Sequence, residues 1–313
     1  MLALKICTHM QYREVIKEAW NMTHTGRGLL WYGTIPAFFT TITGMIYAIY
    51  QYVAFRDSPY FGGKHIFSSV FDWVQDFAVG HSAIMLFIVI GTIIMFIGFF
   101  LIPPFCEAGL IGLISSVHKK KDVHGGDGLA FGFTNFLRMF EYRMVISVFS
   151  FVEFFTIFSL AIRNIGPSTT VYILFSILFL ISLLFYFLFI YGESFIVLEK
   201  RGVIPALTSS ARLVVSNLEQ TLLMTLLMFL IFLRVILNVF LLFLIPFIVI
   251  FVTGFFVSQA ALTIGMIVGA LISLIVFALA AYLAGTLNVF TTAAWTITFL
   301  NLERNRLDAL LKD

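Results

Sequence analysis

The chain has 313 residues, of which 19 are Lys or Arg and 16 are Asp or Glu, so 11% are charged; soluble domains average about 25%. Hydrophobic residues make up 61%, Phe alone contributes 38, and the mean hydropathy is +1.04. So few charges cannot cover a water-soluble surface of this size. The composition also excludes a disordered chain, a coiled coil and a disulfide scaffold, and leaves an all-α, polytopic transmembrane helical bundle.

A span needs ~20 apolar residues, and six are expected in one transmembrane domain, 1–313. A first amphipathic helix precedes them. Between Gln11 and Met22, Tyr12, Val15, Ile16, Ala19 and Trp20 fall at helical spacing, with Arg13, Glu14, Lys17 and Glu18 opposite. The first span then runs from about Leu29 to Phe55, too long for the apolar core of a cleavable signal peptide, so none is expected. The next loop predicts a helix with Ile66, Val70, Phe71, Val74 and Phe77 on one face and Trp73 at headgroup level. The second span covers about Ala83 to Phe105 and meets Pro103-Pro104.

A loop from His118 to Gly128 follows, with two His and two Asp. Its three lysines and its glycines favour a solvated basic loop over a metal site, and no metal or cofactor is expected. A second amphipathic helix is predicted over Leu129 to Arg143, its stripe Leu129, Phe133, Phe136, Leu137 and Phe140, its polar face Thr134, Asn135, Arg138 and Glu141. The third span (Met144 to Ile162) contains Glu153. The fourth covers Val171 to Tyr191 and ends in Gly192-Glu193-Ser194. A third amphipathic helix, Ile204 to Leu218, carries Ile204, Leu207, Ala211, Val214 and Leu218, with Ser209, Ser210, Arg212 and Asn217 opposite and Pro205 in its tolerant first turn. The fifth span (Thr221 to Val252) contains Arg234, and the sixth lies between Ala260 and Val289.

Three interfacial helices, each before a pair of spans, predict a pseudo-threefold helix-span-span repeat over 1–125, 126–201 and 202–313. Basic residues fix the expected orientation. Lys5, Arg13, Lys17, Arg27, Lys119, Lys120, Lys121, Arg138, Arg143, Lys200, Arg201, Arg212, Arg304, Arg306 and Lys312 fall on one side. Arg56, Lys64 and Arg163 fall on the other. Both termini are therefore expected in the cytoplasm. Cys7 and Cys106 then face a reducing compartment.

The stretch Gly202-Val203-Ile204-Pro205-Ala206-Leu207-Thr208-Ser209-Ser210-Ala211-Arg212-Leu213-Val214, between long spans, resembles a motif of poorly characterised prokaryotic six-helix membrane protein families. These include the membrane-spanning region fused to some glycerophosphodiester phosphodiesterases. The resemblance implies an inner-membrane protein of bacterial type. The catalytic domain of the fused members has no counterpart in this sequence, so no hydrolase activity carries over.

Charges inside spans are costly and point to function. Glu153 and Arg234 both fall near the middle of their spans, where they would form an ion pair that either fixes two helices or couples to a substrate or proton. Glu107 and Glu193 end the second and fourth spans at one depth, with Asn288 or Thr292 in the third place. They would line a polar cavity for a cation or cationic head group, or snorkel to water as caps. Gly265-x-x-x-Gly269, continued by Ser273, is a close-packing motif of helices in lipid. No nucleophile elbow, phosphate loop or zinc-protease helix occurs, and every basic cluster abuts a span, which disfavours nucleic acid. Two functions stand open: a non-enzymatic transporter-like or lipid-handling bundle, with membrane lipids and a small solute or lipid as partners, and a scaffold whose charges only fix packing.

Overall fold

The computed structural model describes residues 12–60, 66–121, 124–254 and 259–310. Their order is α1 (Tyr12–Thr25), α2 (Arg27–Asp57), α3 (Ile66–Gly80), α4 (Ser82–His118), α5 (Gly125–Ser147), α6 (Phe151–Ile165), α7 (Thr169–Leu188), α8 (Gly192–Glu199), α9 (Val203–Ser216), α10 (Leu218–Gly254) and α11 (Gln259–Leu310). No strand occurs among the described residues. Among the described residues six stretches are long and apolar enough to cross a membrane: Gly28–Asp57, Ser82–His118, Gly126–Ile165, Thr169–Glu199, Leu218–Asn238 and Val268–Arg306.

Several of these outrun the apolar spans read from sequence. α4 passes through Pro103-Pro104 and continues to His118. Proline removes an N–H but its fixed φ suits a helix, and the apolar run after it finds a packing partner. The second amphipathic segment is not a separate helix either. It is the first part of α5, which continues to Ser147 and meets α6 across a short break. α7 and α8 meet across another.

Each break frees backbone groups in apolar surroundings, where they need partners. At the first, Ser182 Oγ donates to the Phe149 carbonyl at 2.8 Å, and Ser150 Oγ accepts from the Glu153 N–H at 3.2 Å. At the second, Tyr142 Oη donates to the Phe189 carbonyl at 2.6 Å, and Ser210 Oγ donates to Leu188 at 2.8 Å while accepting from the Tyr191 N–H at 3.1 Å.

The chain divides into two compact units, Met1–Phe38 with Asn217–Asp313, and Phe39–Ser216. These borders do not coincide with those of the expected repeat. In the first unit α1 packs on α11 through Val15, Ala19 and Met22, with Arg13, Glu14 and Lys17 exposed, as its periodicity predicts; Trp20, placed on the same stripe, is exposed. α2 and α11 approach most closely at Gly33 and Gly285. A Cβ on Gly33 would stand 2.8 Å from the Gly285 carbonyl oxygen, and one on Gly285 would stand 2.6 Å from Thr34 Cα. Gly285 is thus a close-packing glycine of α11. Gly269 is buried and Ser273 half-buried, while the surroundings of Gly265 lie outside the described residues.

In the second unit the core joins α4, α5, α8 and α9. Leu110, Ile111, Leu113, Ile114, Met139, Tyr191, Phe195, Ile196 and Leu213 are all fully buried. Leu129, Phe133 and Leu137, from the apolar stripe expected to lie in the interface, are exposed, as are Thr134, Arg138 and Glu141 of the polar face; Gly132, Asn135, Met139 and Tyr142 face inward. Small residues let helices approach: a Cβ on Gly112 would meet the Phe131 ring at 2.3 Å, and one on Gly132 the Phe105 ring at 2.7 Å. In α9 Val214 of the apolar stripe is buried and Arg212 of the polar face exposed, while Ser210 is buried and Ile204 exposed.

Polar rungs tie the second half of α2 to α6. Tyr47 Oη lies 2.8 Å from Thr156 Oγ1, Gln51 Nε2 donates to Tyr47 Oη at 2.7 Å, and Ser159 Oγ donates to Gln51 Oε1 at 2.6 Å. The other face of α6 packs Phe154, Phe158 and Ile162 against Val171 and Phe175 of α7.

Candidate functional site

α4 and α5 are consecutive helices joined by a short loop and pack against each other. Glu107, three residues beyond Pro104, is buried, with 9% of its surface exposed. Arg143, near the end of α5, donates from Nη2 to Glu107 Oε1 in an ion pair. The second carboxylate oxygen, Oε2, is buried with no hydrogen-bond partner. Glu193, half-buried in the first turn of α8, lies within electrostatic reach of both Arg143 and Glu107. Tyr142 and Tyr186 lie within electrostatic reach of Glu193.

The local fold sets this geometry. Gly192 starts α8 directly under Tyr142, where a Cβ would stand 2.5 Å from the ring. That contact seats Tyr142 on the Phe189 carbonyl and leaves Glu193 on the next residue of α8. The cluster holds two carboxylates and one guanidinium. Fully ionised, it carries one excess negative charge where water is scarce, which is costly unless a proton or another cation makes up the difference.

The structure therefore brings Glu107 and Glu193 together, as their matching depth suggests, but through a third residue. Arg143, read from sequence only as a basic residue that sets orientation, sits in the packed end of the unit. The signal for it was the need of two acids at one depth for a cation, with Arg143 beginning the adjacent span. Glu107 is likewise no snorkelling cap. Asn288, half-buried on α11, and Arg234, exposed on α10, belong to the other unit. Glu153 is exposed in the first turn of α6. Asp127 does not remain a free loop acid: its Oδ2 accepts from the His124 N–H at 2.9 Å and caps α5. Arg201 stacks on Phe195 with 4.9 Å from its guanidinium carbon to the ring centre, and pairs with Glu199 at 2.6 Å. Among the described residues no group of three or more His, Cys, Asp or Glu comes together as a metal site.

No protein-family model matches the chain, and no curated protein or solved structure compared with it gives a match.

Proposed function

We propose that the chain is a non-enzymatic integral membrane protein of six spans, in a prokaryotic inner membrane with both termini cytoplasmic. Its Glu107–Arg143–Glu193 cluster is the binding centre of a transporter-like or lipid-handling bundle that accepts a cationic group. Membrane insertion is supported by the six apolar stretches and by residues 82–102 of α4, an apolar helix without one buried residue. A helix apolar on every side needs either a protein core or lipid around it. The repeat reading is supported by the order in which α1 and α9 each precede a long apolar helix and the start of α5 opens the apolar stretch Gly126–Ile165.

The observation that carries the binding reading is the unbalanced cluster, two acids to one Arg, with Glu107 Oε2 left without a partner. The test is mass spectrometry of solutes and lipids that co-purify with the full chain, repeated for Glu107→Gln and Glu193→Gln. A cationic solute or lipid present in the wild type and lost in both variants supports the reading. Identical profiles in all three proteins would remove it.

A scaffold role is favoured by a different observation. Tyr142 and Ser210 bond directly to the broken backbone between α7 and α8, so polar groups beside the cluster hold packing together. On that reading Glu107→Gln lowers thermal stability and leaves co-purifying molecules unchanged.

A further inference from the structure

A second buried charge lies elsewhere in the same unit. Arg163, in the last turn of α6, is 9% exposed. Three polar residues of α6, Thr156, Ser159 and Arg163, follow one another along a helical face toward α2. The first two end on Tyr47 and Gln51. At the third, Ser58 Oγ donates to the Arg163 carbonyl at 3.1 Å, and the Tyr50 ring centre lies 5.6 Å from the guanidinium carbon. The guanidinium itself is not matched. Among the described residues no carboxylate pairs with it, and its buried Nε has no acceptor.

The position explains part of this. The C-terminus of a helix carries partial negative charge that favours a cation, and an aromatic face favours it further. Neither supplies an in-plane acceptor for the N–H fork. A desolvated guanidinium needs one, and its flat, divergent donors fit the paired oxygens of a phosphate or similar oxyanion.

We propose that Arg163 anchors an oxyanion site for a phosphate group, from a phospholipid headgroup or from free phosphate. It is separate from the Glu107 cluster and opposite in charge. Along α5 and α6 the helical path from Arg143 to Arg163 is ~30 Å at 1.5 Å per residue, about the thickness of a hydrocarbon core. The site is therefore at the other boundary of the third span.

The test uses the full chain in detergent and phenylglyoxal, which modifies guanidinium groups. Modification of Arg163 is followed by mass spectrometry with no addition, with phosphatidylglycerol, with inorganic phosphate, and with phosphate-free diacylglycerol. Protection of at least about fivefold is expected at saturating ligand. Protection by phosphatidylglycerol alone assigns a lipid headgroup; protection by inorganic phosphate as well assigns a soluble oxyanion. No protection, or equal protection by diacylglycerol, overturns the proposal. Arg163→Lys keeps the charge and loses the fork, so native mass spectrometry should find several-fold less retained phosphatidylglycerol or phosphate; equal retention would count against the site.

Discussion

The two halves of α4 fare in opposite ways, and the more apolar half is the exposed one. From Pro103 to Ser115 every residue but Phe105 is buried, against α5 and α8. From Ser82 to Leu101 none is, and Ile84, Leu86, Phe87 and Ile94 are each at least half exposed. Hydrophobicity does not explain the burial, since the buried half carries Pro103, Pro104, Glu107 and Ser115. What separates the halves is small residues and polar anchors in the neighbours. Gly112 and Gly132 admit the Phe131 and Phe105 rings, and Arg143 and Tyr142 fix α5 to α4 and to the α7–α8 break. In an apolar solvent, burial alone does not drive helices together, so packing follows shape and hydrogen bonds.

The contrast gives graded predictions. Leu110→Ala, at a site with no exposure, should cost about 4 kcal/mol of stability, because the packed end cannot collapse onto the cavity. Reversible unfolding in mixed micelles measures it. Arg143→Ala should cost about 3 kcal/mol by leaving Glu107 buried and unpaired, near the low end because Arg143 is partly exposed. Adding Glu107→Gln should restore part of that loss, and strict additivity in the double-mutant cycle would mean that the pair does not interact. Gly192→Ala forces its Cβ onto the Tyr142 ring and should cost about 2 kcal/mol. Protease resistance of the α7–α8 connection should fall with it. Leu86→Ala, on the exposed half, should change stability by less than about 0.5 kcal/mol. A loss there as large as at Leu110 would show that the exposed half packs against protein in the folded assembly.

The six long apolar stretches were legible because apolar length depends on composition alone. α1 was legible too, since Val15 and Ala19 face inward and Arg13 and Lys17 outward. The packing face of α5 was not, because it is made of Gly132, Asn135, Met139 and Tyr142, which form no apolar stripe. Phe133 and Gly132 are neighbours in sequence, and the inward one is the glycine. Among the site residues, Glu107 and Glu193 announced themselves as acids at one depth. Arg143 did not, since an arginine at a span end reads equally well as an orientation signal. Arg163 was hidden for the same reason. The Tyr47–Gln51–Ser159 rungs involve no charge, and only spatial neighbours reveal them.

Tyr142 and Arg143 are consecutive residues with separate duties. The first holds the Phe189 carbonyl, and the second holds Glu107. Both ride on one rigid helical turn of α5. A rotation of α5 that handed Arg143 from Glu107 to Glu193 would also draw the tyrosine off the carbonyl it satisfies. The ion pair and the α7–α8 joint are therefore mechanically tied through one turn of α5.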